Sequence, residues 1–268
     1  MTDAFIYLCA GSVGLLIGSF LNVVIHRGPA LWRLVDVAEP RGGLAHPRSY
    51  CPSCRKTLSP FELIPVFSFL ISGGRCRSCR ARISWRYPAI ELAGAGAALA
   101  SVILFGVTVS AGLFALFAWT AIALAAIDLE TGYLPDALTL PLIAIGIGAN
   151  ITGRFSPTID ALIGAVVGYG VFYIVSVTFK RVRNVEGLGL GDAKLLAAIG
   201  AWGGWIVLAP TVFLAALATL IGAALARVFG IGVERNTELP FGPALALAGL
   251  VCVAVNAINP NAFVGGAF

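Results

Sequence analysis

Charge is scarce in this 268-residue chain. Only 12% of the residues are Asp, Glu, Lys or Arg, and 59% are hydrophobic, whereas a soluble globular domain carries about 25% charged residues. That shortage excludes an ordinary water-soluble domain and leaves a membrane protein. From Leu92 to Ile127 no charged residue occurs, and further uncharged stretches cover 4–25, 137–153, 161–179, 195–226 and 239–268. A membrane span needs roughly 20 apolar residues. The stretches 92–127 and 195–226 can each hold two helices and a turn, so the expectation is an all-α polytopic membrane protein with about eight transmembrane helices. Other things are missing too. Asp3 stands where a cleavable signal peptide has its positive region, and the first apolar run is too long for one. No Gly-rich turn after a strand marks a Rossmann nucleotide site. No inverted repeat with paired broken helices marks a transporter.

The charge that is present is one-sided. Residues 27–87 hold Arg27, Arg33, Arg41, Arg48, Arg55, Lys56, Arg75, Arg77, Arg80, Arg82 and Arg86, most of the 18 basic residues of the chain. The positive-inside rule makes this loop cytoplasmic and puts the N-terminus outside. Eight spans then make 129–136, 180–192 and 227–240 cytoplasmic as well, with Lys180, Arg181, Arg183, Arg227 and Arg235, while the outer turns keep only Arg154. Topology signalling accounts for the basic loop, so no nucleic-acid partner is expected. Three parts follow: a first transmembrane helix over 1–26, a cytoplasmic tetracysteine domain over 27–87, and a helical bundle over 88–268.

Cys51, Cys54, Cys76 and Cys79 form two Cys-x2-Cys knuckles inside the basic loop. A reducing compartment argues for metal over disulfides. Four thiolates close a tetrahedral Zn2+ site with no open position, which is a structural site. Redox chemistry or unpaired thiols are the competing readings. The stretch Pro60 to Leu70 between the knuckles is apolar for a soluble loop and too short to span; it is expected to pack on the membrane face or the bundle. Cys9 and Cys252 lie in apolar spans as packing residues.

Two aspartates stand out. Asp128 closes the uncharged run 92–127, and Asp192 ends the string Gly187-Leu188-Gly189-Leu190-Gly191-Asp192, in which Gly189 and Gly191 leave the backbone open to close approach. An ionisable group at membrane depth points to function by default. Asp136, after Pro135, has a simple role at the start of a helix. Asp128 has none, since a negative charge at a helix C-terminus is mildly unfavourable. Asp192 reads either as an N-cap or as a reacting group. Both Asp128 and Asp192 fall at the cytoplasmic ends of their spans, and two carboxylates on one membrane face are what an acid/base pair on water requires.

The order of motifs resembles the bacterial prepilin peptidases, the type IV prepilin leader peptidases with a GxGD motif. The segments are Gly18-Ser19-Phe20-Leu21-Asn22 running on to His26-Arg27, then the tetracysteine loop, then Arg86-Tyr87-Pro88-Ala89-Ile90-Glu91. Asp128 with Leu134-Pro135-Asp136 follows, then Gly189-Leu190-Gly191-Asp192, then Pro240-Phe241-Gly242-Pro243. The resemblance implies a membrane aspartic endopeptidase with Asp128 and Asp192 as catalytic pair. It implies cleavage of prepilin or pseudopilin leaders after Gly at the cytoplasmic face of the bacterial inner membrane. It also implies N-methylation of the new N-terminus with S-adenosylmethionine, because members that keep the tetracysteine loop are usually bifunctional. The chain departs from the family in the insert Ala30 to His46 and in Arg27-Gly28-Pro29 after the first span. The methyl-donor site is not marked by any motif; Glu62, Glu91 and Asn22 are its candidates. Lys194 and His26 read as interface residues that snorkel toward headgroups. Other readings are a transporter with a zinc-stabilised cytoplasmic cap, a non-catalytic pilin-binding assembly factor, and a peptidase lacking methyltransferase activity.

Overall fold

The structure, a computed structural model, describes residues 2–36, 41–183, 189–229, 240–260 and 262–263. Gly187, Arg235 and the side chain of Arg183 lie outside the described residues. Those that are described form helices α1 (Thr2–Leu31), α2 (Phe67–Ile71), α3 (Arg86–Phe105), α4 (Val109–Thr131), α5 (Asp136–Asn150), α6 (Thr158–Arg183), α7 (Leu190–Gly203), α8 (Leu208–Val228) and α9 (Gly242–Ile258). Two 3-10 turns, Pro60–Leu63 and Trp205–Val207, complete the set.

Among the described residues, five segments are long and apolar enough to cross a membrane: Asp3–Leu31, Arg86–Phe105, Val109–Thr131, Thr158–Val182 and Trp205–Val228. That is fewer than the eight counted from uncharged runs. The shortfall is α5, α7 and α9, of 15, 14 and 17 residues. At a rise of about 1.5 Å per residue, 14 residues reach only about 21 Å of a core about 30 Å thick. Breakers set those lengths: Pro135 caps α5, and Gly189 and Gly204 bracket α7. The chain is multi-pass all the same.

The chain divides within α4 into two compact units, 1–123 and 124–268. In the first, α1 and α3 pack through small residues. A Cβ at Gly14 would stand 2.5 Å from the Gly94 carbonyl oxygen, so only glycine allows this backbone approach. Asn22 Nδ2 donates to the Tyr87 carbonyl across the same interface at 3.0 Å, and Trp119 Nε1 of α4 donates to Gly94 at 2.9 Å.

In the second unit α7 is the core. Every residue from Leu195 to Gly203 is buried, including the whole of Trp202. The last carbonyls of α7 have no partner within their own helix. Asn150 Nδ2 donates to Ala201 and Trp202 at 2.9 and 2.8 Å, and Asn256 Nδ2 to Gly203 at 3.2 Å. Trp202 Nε1 in turn donates to Leu142 at 2.9 Å. α5, α7 and α9 are therefore tied together at this end, which fixes what α7 presents at the other.

Candidate active site and metal centre

The N-terminal end of α7, the C-terminal turn of α4 and the N-terminal end of α9 converge in the second unit. Gly132, at φ +69°, accepts the reversal that ends α4 after Thr131, and Pro135 starts α5. Asp128 therefore sits in the last turn of α4, 7% exposed. Its Oδ2 accepts from the backbone amide of Gly242, the first residue of α9, at 3.1 Å. The free amides at a helix start attract a carboxylate, so Asp128 has the structural partner that the sequence alone did not supply. It caps α9 from another helix.

Asp192 corrects the N-cap reading. Gly189 is the N-cap of α7, and Asp192 is the third helical residue. The Asp192 side chain makes no hydrogen bond among the described residues and stands near enough to Asp128 for the two charges to interact. Close packing brings the motif in: a Cβ at Gly191 would meet Leu134 Cβ at 2.9 Å, so the glycine admits the α4–α5 connection beside Asp192. Gly189 is exposed beside it, and Asp192 Oδ2 is 3.8 Å from where its Cβ would be. Lys194 does not snorkel freely; its Nζ donates to Asp136 Oδ1 at 2.5 Å. Asp136 is thus an ion-pair partner on the surface, while Asp128 and Asp192 lie near enough for their charges to interact.

The candidate metal site belongs to the first unit. The ligand atoms of Cys51, Cys54, Cys76 and Cys79 all lie within 4.8 Å of one another. Cys51 Sγ and Cys79 Sγ are 3.8 Å apart. Four sulfurs at about 2.3 Å from a tetrahedral Zn2+ stand about 3.8 Å apart, so the donor set fits the ion. The two knuckles repeat one local fold. Cys51 N–H donates to Lys56 and Arg55 N–H to Cys51; Cys76 N–H donates to Ala81 and Arg80 N–H to Cys76. Arg55 and Arg80 share a positive φ of 60° and 62°. The backbone amides of Cys79 and Ser78 hold the Cys76 thiol down to about 6. The Ala81 amide favours the Cys79 thiolate too, but burial and hydrogen bonds to Cys54, Cys76 and Cys51 outweigh it and push that thiol up to about 11. A bound cation would displace the thiol protons.

Arg27, which the sequence places in the basic loop and at the end of the first motif, is buried. Its Nη1 donates to Gly43 and Pro47 at 2.9 and 2.8 Å, and its guanidinium lies over the Tyr50 ring. The signal lay in its position: α1 continues through it to Leu31.

The three methyl-donor candidates separate. Glu62 is turned to local use, accepting from Ser59 N–H and Oγ at 2.9 and 2.8 Å, and the Ser59 amide holds its carboxyl below the usual range. Glu91 is buried in α3 and accepts from the Val66 amide at 2.7 Å. Asn22 is buried opposite on α1, and its Oδ1 has no partner. A lone buried acceptor between helices is costly, and Asn22 Oδ1 is one such atom among the described residues.

Residues 12–105 match the bacterial peptidase A24 N-terminal domain, and residues 114–225 match the type IV leader peptidase family. A prepilin leader peptidase/N-methyltransferase of Pseudomonas aeruginosa is 42% identical over 260 residues, which cover 92% of this chain and 89% of that protein. Proteins of the same description from Burkholderia pseudomallei and Stutzerimonas stutzeri are each 43% identical, over 88% and 92% of this chain and 81% and 89% of theirs. No solved structure matches.

Proposed function

The chain belongs to the type IV leader peptidase family, and from that premise we propose that it cleaves prepilin leaders with Asp128 and Asp192 and methylates the new N-terminus. The observation that carries the site assignment is the convergence of these two carboxylates from α4 and α7. One of them takes a proton from a water as it attacks the scissile carbonyl. The other donates a proton to the carbonyl oxygen, and the roles reverse when the amine leaves. No covalent intermediate with the protein forms. The Gly242 amide holds Asp128 in place during this exchange.

The substrates are prepilins or pseudopilins cut after Gly. The basic loop supports a location in the inner membrane with the zinc module and the dyad toward the cytoplasm. Zn2+ at the four cysteines is structural, since no coordination position stays open for water. S-adenosylmethionine would be held by Glu91 and Asn22, whose acceptors suit a cationic donor molecule, and it supplies the methyl group that the freed amine takes up.

The test is cleavage of a prepilin with a Gly-Phe junction by wild type, Asp128→Asn and Asp192→Asn in detergent, with mass spectrometry of the product. Loss of cleavage in both variants, with a methylated product from wild type when S-adenosylmethionine is present, is expected. Cleavage at wild-type rate by either variant overturns the pair.

A further inference from the structure

We propose that the segment Phe61 to Ile71, together with Trp85, is an interfacial anchor that seats the metal-binding module in the headgroup layer of an anionic bilayer. Three observations lead there, all within the first unit.

The segment wears its apolar side outward. Phe61 is 75% exposed, Ile71 71% and Trp85 73%, and Phe67 and Leu70 are exposed with them. In α2 only Phe69 turns inward, its ring 4.7 Å from that of Trp85. A module bathed in water would turn these residues the other way. A contiguous exposed apolar patch marks an interaction surface, and the partner here is fixed by depth.

The depth comes from α3. The Val66 amide donates to Glu91 Oε2 at 2.7 Å. Glu91 lies five positions after Arg86, where the candidate span Arg86–Phe105 begins, about 7.5 Å along the helix axis. Val66 holds φ at +63° to make this contact, a backbone conformation rare for a β-branched residue and kept only where its surroundings enforce it. The apolar segment is therefore pinned beside the first turns of a membrane-crossing helix. Leu92, one position beyond Glu91, is also exposed. Trp85 stands at the start of the span, where indoles concentrate at membrane surfaces.

The charge selects the lipid. Between residues 41 and 86 the chain carries nine Arg and Lys against one carboxylate, Glu62. An apolar face on a strongly cationic module binds most strongly to anionic headgroups.

The wild-type, full-length protein tests this in nanodiscs doped with photoactivatable phosphatidylglycerol or phosphatidylcholine, followed by peptide mapping of the lipid adducts. Adducts are expected in Phe61–Ile71 and at Trp85 at several times the density found in the knuckles 51–57 and 76–82, with phosphatidylglycerol labelling several-fold more than phosphatidylcholine. Adducts absent from 61–71, or spread evenly over the knuckles, overturn the anchor. Equal labelling by the two lipids overturns its preference for anionic headgroups. Neither result depends on the aspartate pair or on methyl transfer.

Discussion

The amide of Gly242 donates to Oδ2 of Asp128 across 3.1 Å, and the start of α9 is thereby tied to the last turn of α4. A Cβ at position 242 would stand 2.5 Å from that same oxygen and 2.9 Å from the carboxyl carbon. Gly242→Ala must therefore push Asp128 aside or draw α9 away. A misplacement of about 1 Å at a reacting group costs on the order of 10²-fold in rate. The expected outcome is a fall of that order in kcat for prepilin cleavage, with unchanged metal content and a loss of stability of about 1–3 kcal/mol from the overpacking. Cleavage at wild-type rate would show that Asp128 does not depend on this amide.

If Asp128 and Asp192 act on one water, they act as a unit. Groups that work as a unit give grossly non-additive losses. The variant carrying both Asp128→Asn and Asp192→Asn is expected to cleave no more slowly than the worse single variant, as measured by residual product over long incubation. Multiplying losses would mean that the two carboxylates serve separate steps.

Asp136 is the neighbour that distinguishes chemistry from proximity. It pairs with Lys194 at 2.5 Å, and its side chain is 55% exposed. An exposed pair contributes about 0–1 kcal/mol. Asp136→Asn and Lys194→Ala are each expected to leave cleavage within a few-fold of wild type and to lower stability by no more than that amount. A loss comparable to that of Asp128→Asn would place Asp136 in the reaction.

How far the sequence carries can be judged from these same residues. The long helices start and stop near the uncharged runs because charges and the breakers Gly132, Pro135 and Gly204 are local signals. What stayed hidden is long-range. The partner of Asp128 is Gly242, 114 positions away, and no local pattern states that pairing. The same holds for Asn150 and Asn256 on the carbonyls of α7. Lys194 looked like a snorkelling cation because Asp136 is far from it in sequence. Arg27 looked like a topology signal because nothing local says that the carbonyls of Gly43 and Pro47 fold back over it. The lengths of α5, α7 and α9 were overestimated because an uncharged run says nothing of where a glycine ends a helix.

If the four cysteines hold an ion, the module is expected to depend on that ion and on Arg27. Cys51→Ser or Cys76→Ser removes one of four ligands, and small closed zinc sites unfold without metal. Each variant is expected to lose the bound metal by elemental analysis and to expose 41–85 to protease. Arg27→Ala leaves the Gly43 and Pro47 carbonyls without a buried charged donor, and each such hydrogen bond is worth about 1.5–3 kcal/mol. That variant should retain metal but surrender it at a lower chelator concentration. Full protease resistance after complete metal removal would show that the module is held by its protein contacts alone.

Glu91 separates two roles that its position combines. It accepts the Val66 amide and so holds the module against α3, and it is proposed to hold the methyl donor beside Asn22. Glu91→Gln keeps an oxygen to accept from Val66 and removes the negative charge. Glu91→Ala removes both. If the charge serves donor binding, Glu91→Gln should raise the KM for S-adenosylmethionine about tenfold or more, the equivalent of about 1.4 kcal/mol, while cleavage and protease resistance of the module stay near wild type. Glu91→Ala should lose methylation and also loosen the module. Asn22→Leu gives the independent check, because it fills the same place without offering an acceptor for the donor's amines and should likewise impair methylation more than cleavage. Equal methylation by wild type, Glu91→Gln and Asn22→Leu would confine Glu91 to holding the module and move the donor site elsewhere.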